Sequence, residues 1–206
     1  MKKPRKKRFS DFNLEEALTL VGINQLKKWP LDEIPPKRLS KLFQQLRGKL
    51  EVCFDLSLSE AAKSMLIDAI LLEAMDRFEA LKIWKEANLQ TDKTIGVLDY
   101  LIAPQGVVYQ TPLLCVIEAK KDDFEKGLAQ CLVEMAACRW QNKNLQPIDI
   151  YGIITNSLTW RFYKFTVKNE VYESAPYAEP LEQTLGILRW ILVQCVSNMK
   201  KSMILE

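Results

Sequence analysis

Apolar positions in the first part of the chain recur at helical spacing. Leu14, Leu18, Val21 and Ile23 follow a capping Asp11, with Glu15 and Glu16 in the first turn. Pro30, Pro35 and Pro36 mark a loop, and Leu39, Leu42, Phe43 and Leu46 predict a second helix over 37–50. Ser57-Leu58-Ser59-Glu60 has the capping-box form and predicts a third helix reaching about residue 79. From Leu81 the period changes. Leu81, Ile83 and Trp84 predict a strand, Asp92-Lys93-Thr94 a turn, 95–103 a second strand, Pro104-Gln105-Gly106 another turn, and 113–119 a third strand.

Asp122 or Asp123 begins a helix whose apolar face holds Phe124, Leu128, Cys131, Leu132, Met135 and Cys138, and Asn144 and Pro147 stop it. The apolar stretch 148–154 follows this helical crossover and is expected to join the sheet in parallel. Trp160 to Phe165 alternates cleanly as a last strand. Pro176 and Pro180 precede a helix bearing Leu181, Leu185, Leu188, Leu192 and Cys195. The fold class is therefore α/β, a mixed sheet flanked by helices, with helices added at both ends. The expected organisation is a disordered basic tail over 1–10, a helical addition over 11–56, and an α/β domain over 57–206.

Composition narrows the chemistry. The 206 residues include no histidine, which removes His-based triads, His metal sites and His general bases. Five cysteines, with no Cys-x-x-Cys pair, sit mostly in apolar segments and argue against a disulfide scaffold or a zinc site. No apolar run approaches the roughly 18 residues of a membrane span, and the N-terminus lacks the apolar stretch of a secretory signal. A cytoplasmic protein without a membrane partner is expected. The formal charge of +3 conceals an asymmetry: Lys2, Lys3, Arg5, Lys6, Lys7 and Arg8 carry six positive charges, leaving 23 basic against 26 acidic residues in the rest. Such a run either contacts phosphate without reading sequence or is simply a solvated terminus.

The two strands over 95–103 and 113–120 carry ionisable groups where buried strands should have none. Glu118 and Lys120 are two residues apart and project from the same face. If Ala103 pairs with Pro112, Asp99 falls opposite Val116, on the face of Glu118 and one diagonal step, about 7–8 Å, from it. A slip of one residue would turn Asp99 to the other face. Two carboxylates so placed suit Mg²⁺ (or Mn²⁺) with a substrate phosphate, and Lys120 could orient or deprotonate a water or stabilise developing charge. The competing reading is an exposed Glu-x-Lys pair at a strand end. Glu73 shares a stripe with Leu66 and Ile70, as a salt-bridged structural residue or as part of a site. Arg139, Trp140, Lys143 and Lys164 could meet a nucleic-acid backbone, although basic surface residues are usually only solvated.

Gly96-Val97-Leu98-Asp99, then Val116-Ile117-Glu118-Ala119-Lys120, then a helix carrying Gln130, resembles the PD-(D/E)XK nuclease superfamily over about residues 57–165. The resemblance implies a restriction-endonuclease-like αβββαβ core. It also implies that Asp99 and Glu118 bind metal, that Lys120 is the catalytic lysine, that Glu73 is the auxiliary acid of some branches, and that Gln130 is the glutamine of the following helix. Leu98 stands in place of the motif's proline. Glu134 stands where branches with that glutamine carry a tyrosine. The expectation is a metal-dependent nuclease acting on DNA. A nuclease-like module that binds nucleic acid or protein without turnover is the alternative, and a nuclease guided by a recognition partner, or one acting as a homodimer, is a third.

Overall fold

A computed structural model describes residues 5–56, 59–120 and 123–202. In chain order these form β1 (Lys7–Arg8), α1 (Leu14–Val21), β2 (Lys27–Lys28), α2 (Lys41–Cys53), α3 (Glu60–Met75), β3 (Leu81–Gln90), β4 (Thr94–Pro104), β5 (Cys115–Ala119), α4 (Phe124–Gln141), β6 (Ile150–Thr155), β7 (Trp160–Phe165), β8 (Val171–Glu173) and α5 (Leu181–Ser202). The strands make one eight-stranded mixed sheet, so the α/β class expected from the pattern is the one observed.

β4 is its hub. β3 pairs antiparallel along one edge of β4, from Leu81 opposite Pro104 to Gln90 opposite Ile95. The other edge is shared: β5 pairs antiparallel at Tyr100 to Ile102, and β1 pairs parallel at Thr94 and Ile95. α4 carries the chain back across the sheet, which makes β5 and β6 parallel. β7 and β8 continue antiparallel, and β2 closes the far edge beside β8.

Strand alternation divides the core into two layers. Every residue of β6 is buried. Ile153 meets Leu71 of α3 and Leu188 of α5 on one face. Gly152 and Ile154 face α4 on the other, where a Cβ on Gly152 would come within 2.5 Å of Met135 Sδ and 2.6 Å of Cys131 Sγ. Glycine is what lets α4 lie this close to the sheet. Since Glu118 is in register with Ile154, its side chain is directed to the α4 face.

Several boundaries differ from expectation. Asn13, not Asp11, caps α1; it forms a capping box with Glu16, while Asp11 lies in the preceding 3-10 turn. Ser59 caps α3 by accepting from Ala62 N at 3.2 Å. Ser57 and Leu58 of the expected capping box, and Asp122 as an alternative helix start, lie outside the described residues. α3 stops at Met75 because the chain reverses through Arg77, whose φ of 73° is left-handed. Residues 7–9, expected within a disordered tail, are ordered: Lys7 and Arg8 extend the sheet, Lys7 pairs with Glu16, and Phe9 is buried against Gly96. Lys2 and Lys3 lie outside the described residues. With β1 and β2 both in the sheet, the N-terminal part is woven into the domain. No helix among the described residues is long and apolar enough to cross a membrane.

Candidate active site

The register puts the two expected acids face to face. The β4–β5 ladder pairs Tyr100 with Ile117, Leu101 with Val116 and Ile102 with Cys115. Continued by one residue, it sets Asp99 opposite Glu118. The expected pairing is therefore displaced by two residues, and because side chains alternate with period two, the face is unchanged. Beyond Tyr100 the ladder opens, and Ala119 N donates to Asp99 Oδ2 at 2.8 Å. Lys120 N donates to Thr155 O at 2.8 Å, fixing the end of β5 to β6.

Glu118 is 1% exposed, and both of its oxygens are engaged. Oε1 lies 2.6 Å from Lys120 Nζ, and Oε2 accepts from Gln130 Nε2 at 2.9 Å. The same Nε2 donates to Glu134 Oε1 at 2.9 Å, and Gln130 Oε1 accepts from Lys120 Nζ at 3.1 Å. The Gln130 amide thus has one workable orientation, since reversing it would set its oxygen against two carboxyls. Gln130 joins Asp99, Glu118 and Lys120 in one locality. Glu134 joins as well, one helical turn along α4.

Burial, and then the charge of Asp99, push the Glu118 carboxyl up to about 7, against the pull of Lys120. Burial pushes Glu134 well above the carboxylate range, and the Glu118 charge adds to this. Burial works against the Lys120 ammonium, but the adjoining Glu118 carboxylate, with Asp99 and Glu134 behind it, holds its pKa above the ordinary lysine value. Lys120 is a cation here.

Glu73 is not brought to this cluster. Its carboxylate accepts from Ser40 N at 2.7 Å and Ser40 Oγ at 2.8 Å, holding the residue that caps α2. The acid that α3 does contribute is Asp68, which pairs with Lys85 at 2.8 Å on the wall of a cleft of about 530 Å³. Asp99 and Lys120 line the same cleft. So does Glu86, which would stand opposite Asp99 in the β3–β4 ladder. That pair is missing from the ladder because Glu86 has φ of 52°, a conformation costing a non-glycine residue about 1–2 kcal/mol. Nothing in the alternation of β3 announces this kink. Arg139, expected as a surface cation, is half-buried: it donates to Asn169 Oδ1 at 3.2 Å and to the carbonyls of Phe165 and Thr166, and lies on the Phe165 ring. Its environment is structural.

Two carboxylates on adjacent strands are a hard-oxygen donor set. Asp99 Oδ1 has no protein partner among the described residues, and the Asp99 charge destabilises ionised Glu118, as expected where a cation would relieve the repulsion. Among the described residues no three acidic or Cys side chains are placed so that they could hold one metal ion together. Asp99 and Glu118 offer carboxylate oxygens of the kind that Mg²⁺ or Mn²⁺ takes alongside water and phosphate, and too few for a closed cage.

Fold and site together define a mixed α/β protein with an acid–lysine cleft at the open end of its central strand pair. Its sequence is similar to Crinkler effector protein 1 of Rhizophagus irregularis, with 23% identity over 219 aligned positions covering 90% of this chain. The chain spans 46% of that relative, about half its length. No family model matches the sequence.

Proposed function

We propose that the cleft hydrolyses phosphodiester bonds with a divalent cation, in the manner of the PD-(D/E)XK nucleases, and that DNA is its substrate. The observation that carries this reading is the register that sets Asp99 opposite Glu118, with the Lys120 ammonium against Glu118, where Asp99 and Lys120 line an open cleft and Glu118 lies buried just behind it. The order of elements from α3 through β6, helix, three strands, helix, strand, supports it as a restriction-endonuclease-like core. The similarity to a protein named as an effector adds the proposal that this chain corresponds to part of such an effector.

In this reading Asp99 and Glu118 hold Mg²⁺ or Mn²⁺ by their carboxylates. When bound, the ion would acidify a water and neutralise charge on the scissile phosphate. Lys120 acts as a charge stabiliser and not as the base, because its pKa is raised and its proton is held between Glu118 and Gln130. Gln130 fixes both partners in place. Glu73 is left out of the catalytic set. A recognition partner or a second copy of the chain would supply sequence choice.

A second reading draws on the same network. Both Glu118 oxygens already have protein partners, so a binding module without turnover could keep this arrangement permanently closed. Cleavage of plasmid and single-stranded DNA with Mg²⁺ or Mn²⁺ separates the two. Wild-type cutting that disappears in Asp99→Ala and Lys120→Ala supports the hydrolase; equal background from all three rejects it.

A further inference from the structure

We propose that Lys63 and Asn156 form an anion-holding pair beside the carboxylate centre, taking phosphate oxygens of a polynucleotide at a position other than the scissile one. This rests on the phosphodiester reading of the cleft.

Lysines 63, 85 and 120 all line the cleft. Two are already neutralised: Lys85 by Asp68 and Lys120 by Glu118. Lys63, on α3, is 9% exposed; its backbone N donates to Ser59 O at 3.0 Å, while its ammonium has no ion pair or hydrogen bond with any described residue. It lies on the stretch of α3 that also buries Ala62, Leu66 and Ile67 and lines the cleft. A lysine on the wall of the open cleft that pairs with no described side chain keeps its charge available to an anionic ligand. Asp68, the nearest acid in sequence on that wall, is occupied by Lys85.

Asn156 comes from the turn between β6 and β7. Its Oδ1 accepts from Leu158 N at 3.1 Å and Thr159 N at 2.8 Å, which consumes the oxygen and fixes the amide. The Nδ2 group, a double donor, is left without a partner among the described residues, and the residue lines the cleft. A cation and a neutral donor converging on one cleft select an anion with several acceptor oxygens. Phosphate meets that description. The centre at Asp99 and Glu118 repels an unscreened phosphate, so the pair supplies the sequence-independent attraction that the centre lacks.

The test measures binding of a fluorescein-labelled oligonucleotide, single-stranded and duplex, to the full chain in EDTA, with pyrophosphate as a competing probe. Lys63→Met is expected to weaken binding about tenfold and to lower the salt slope by about 0.7–0.9, the signature of one lost phosphate contact. Lys63→Arg should retain most of the affinity, which guards against a folding defect. Asn156→Asp keeps the turn acceptor and replaces the donor with an anionic oxygen, so it should weaken binding at least as much. Wild-type affinity in both Lys63→Met and Asn156→Asp overturns the inference while leaving the hydrolase reading intact. So does a wild type that binds neither probe. Lys63-dependent binding without any cutting in Mg²⁺ or Mn²⁺ upholds the pair and removes the hydrolase reading.

Discussion

Lys120 Nζ lies 2.6 Å from Glu118 Oε1, at the rim of the cleft, while Glu118 itself is sealed from solvent. An ionised carboxylate can occupy that position only because an ammonium accompanies it. Removing the ammonium as Lys120→Met should raise the Glu118 pKa further and destabilise the fold by about 2 kcal/mol at about pH 8, where the carboxylate would have to stay ionised. Near pH 5 the loss should be much smaller, because Glu118 is then protonated. Urea denaturation of wild type and variant at both pH values measures the difference.

The wild-type protein should itself lose stability as pH rises. The Glu118 carboxyl is raised from 4.5 to about 7, so between those values the folded chain holds a proton that the unfolded chain has released. Stability from this group is full below about 4.5 and declines until about 7, by no more than about 1.4 kcal/mol per pH unit for each proton. Glu134, raised in the same direction, extends the decline. Mg²⁺ should flatten the profile, because a cation on the carboxylate pair favours the deprotonated form. Denaturation midpoints from pH 4 to 8, with and without Mg²⁺, check this.

Glu134 is fully buried, its Oε2 has no hydrogen-bond partner among the described residues, and burial raises its pKa and so favours the neutral form. Glu134→Gln is isosteric and also neutral, so it should change stability by less than about 1 kcal/mol. Glu134→Ala opens a cavity and releases Gln130 Nε2 from one of its two acceptors, at a cost of about 2 kcal/mol. Thermal unfolding near neutral pH distinguishes the two substitutions.

Gly96 is where the N-terminal strand is clamped. A Cβ there would lie 2.6 Å from Phe9 Cγ, and Phe9 is 1% exposed. Gly96→Ala should cost about 1–3 kcal/mol by overpacking. In a double-mutant cycle with Phe9→Ala, the two losses should sum to more than the loss in the double variant, since the ring that the methyl strikes is gone.

Glu73 should behave as a structural acid. Glu73→Gln weakens the acceptor for Ser40 N and Oγ, and so loosens the cap of α2 by about 1–2 kcal/mol. If the proposed hydrolase reading holds, DNA cutting measured below the unfolding temperature should be unaffected. A large drop in cutting would return Glu73 to the site.

The interior strands and α4 were readable along the chain because each has to bury a face. A period of two in β4 and β5, a helical period in α4, and the crossover between β5 and β6 leave few ways to arrange them. The face shared by Asp99, Glu118 and Lys120 was readable for the same reason: a register displaced by two residues leaves every side chain where it was. Gln130 was singled out by the resemblance to the PD-(D/E)XK motif and not by any pattern along α4. The features that were not legible depend on contacts between remote segments. α3 is apolar around most of its circumference, so no stripe indicates that Asp68, and not Glu73, turns to the cleft. β1 and β2 have two residues each and no alternation to read; they are strands because β4 and β8 present free edges to them. Local pattern by itself determined which residues must be buried and in what order the layers follow. Tertiary structure alone decided which carboxyls burial and neighbouring charge push up, which cleft lysine lacks an ion pair, and where β3 kinks at Glu86, because desolvation and charge act between neighbours in space that are distant along the chain.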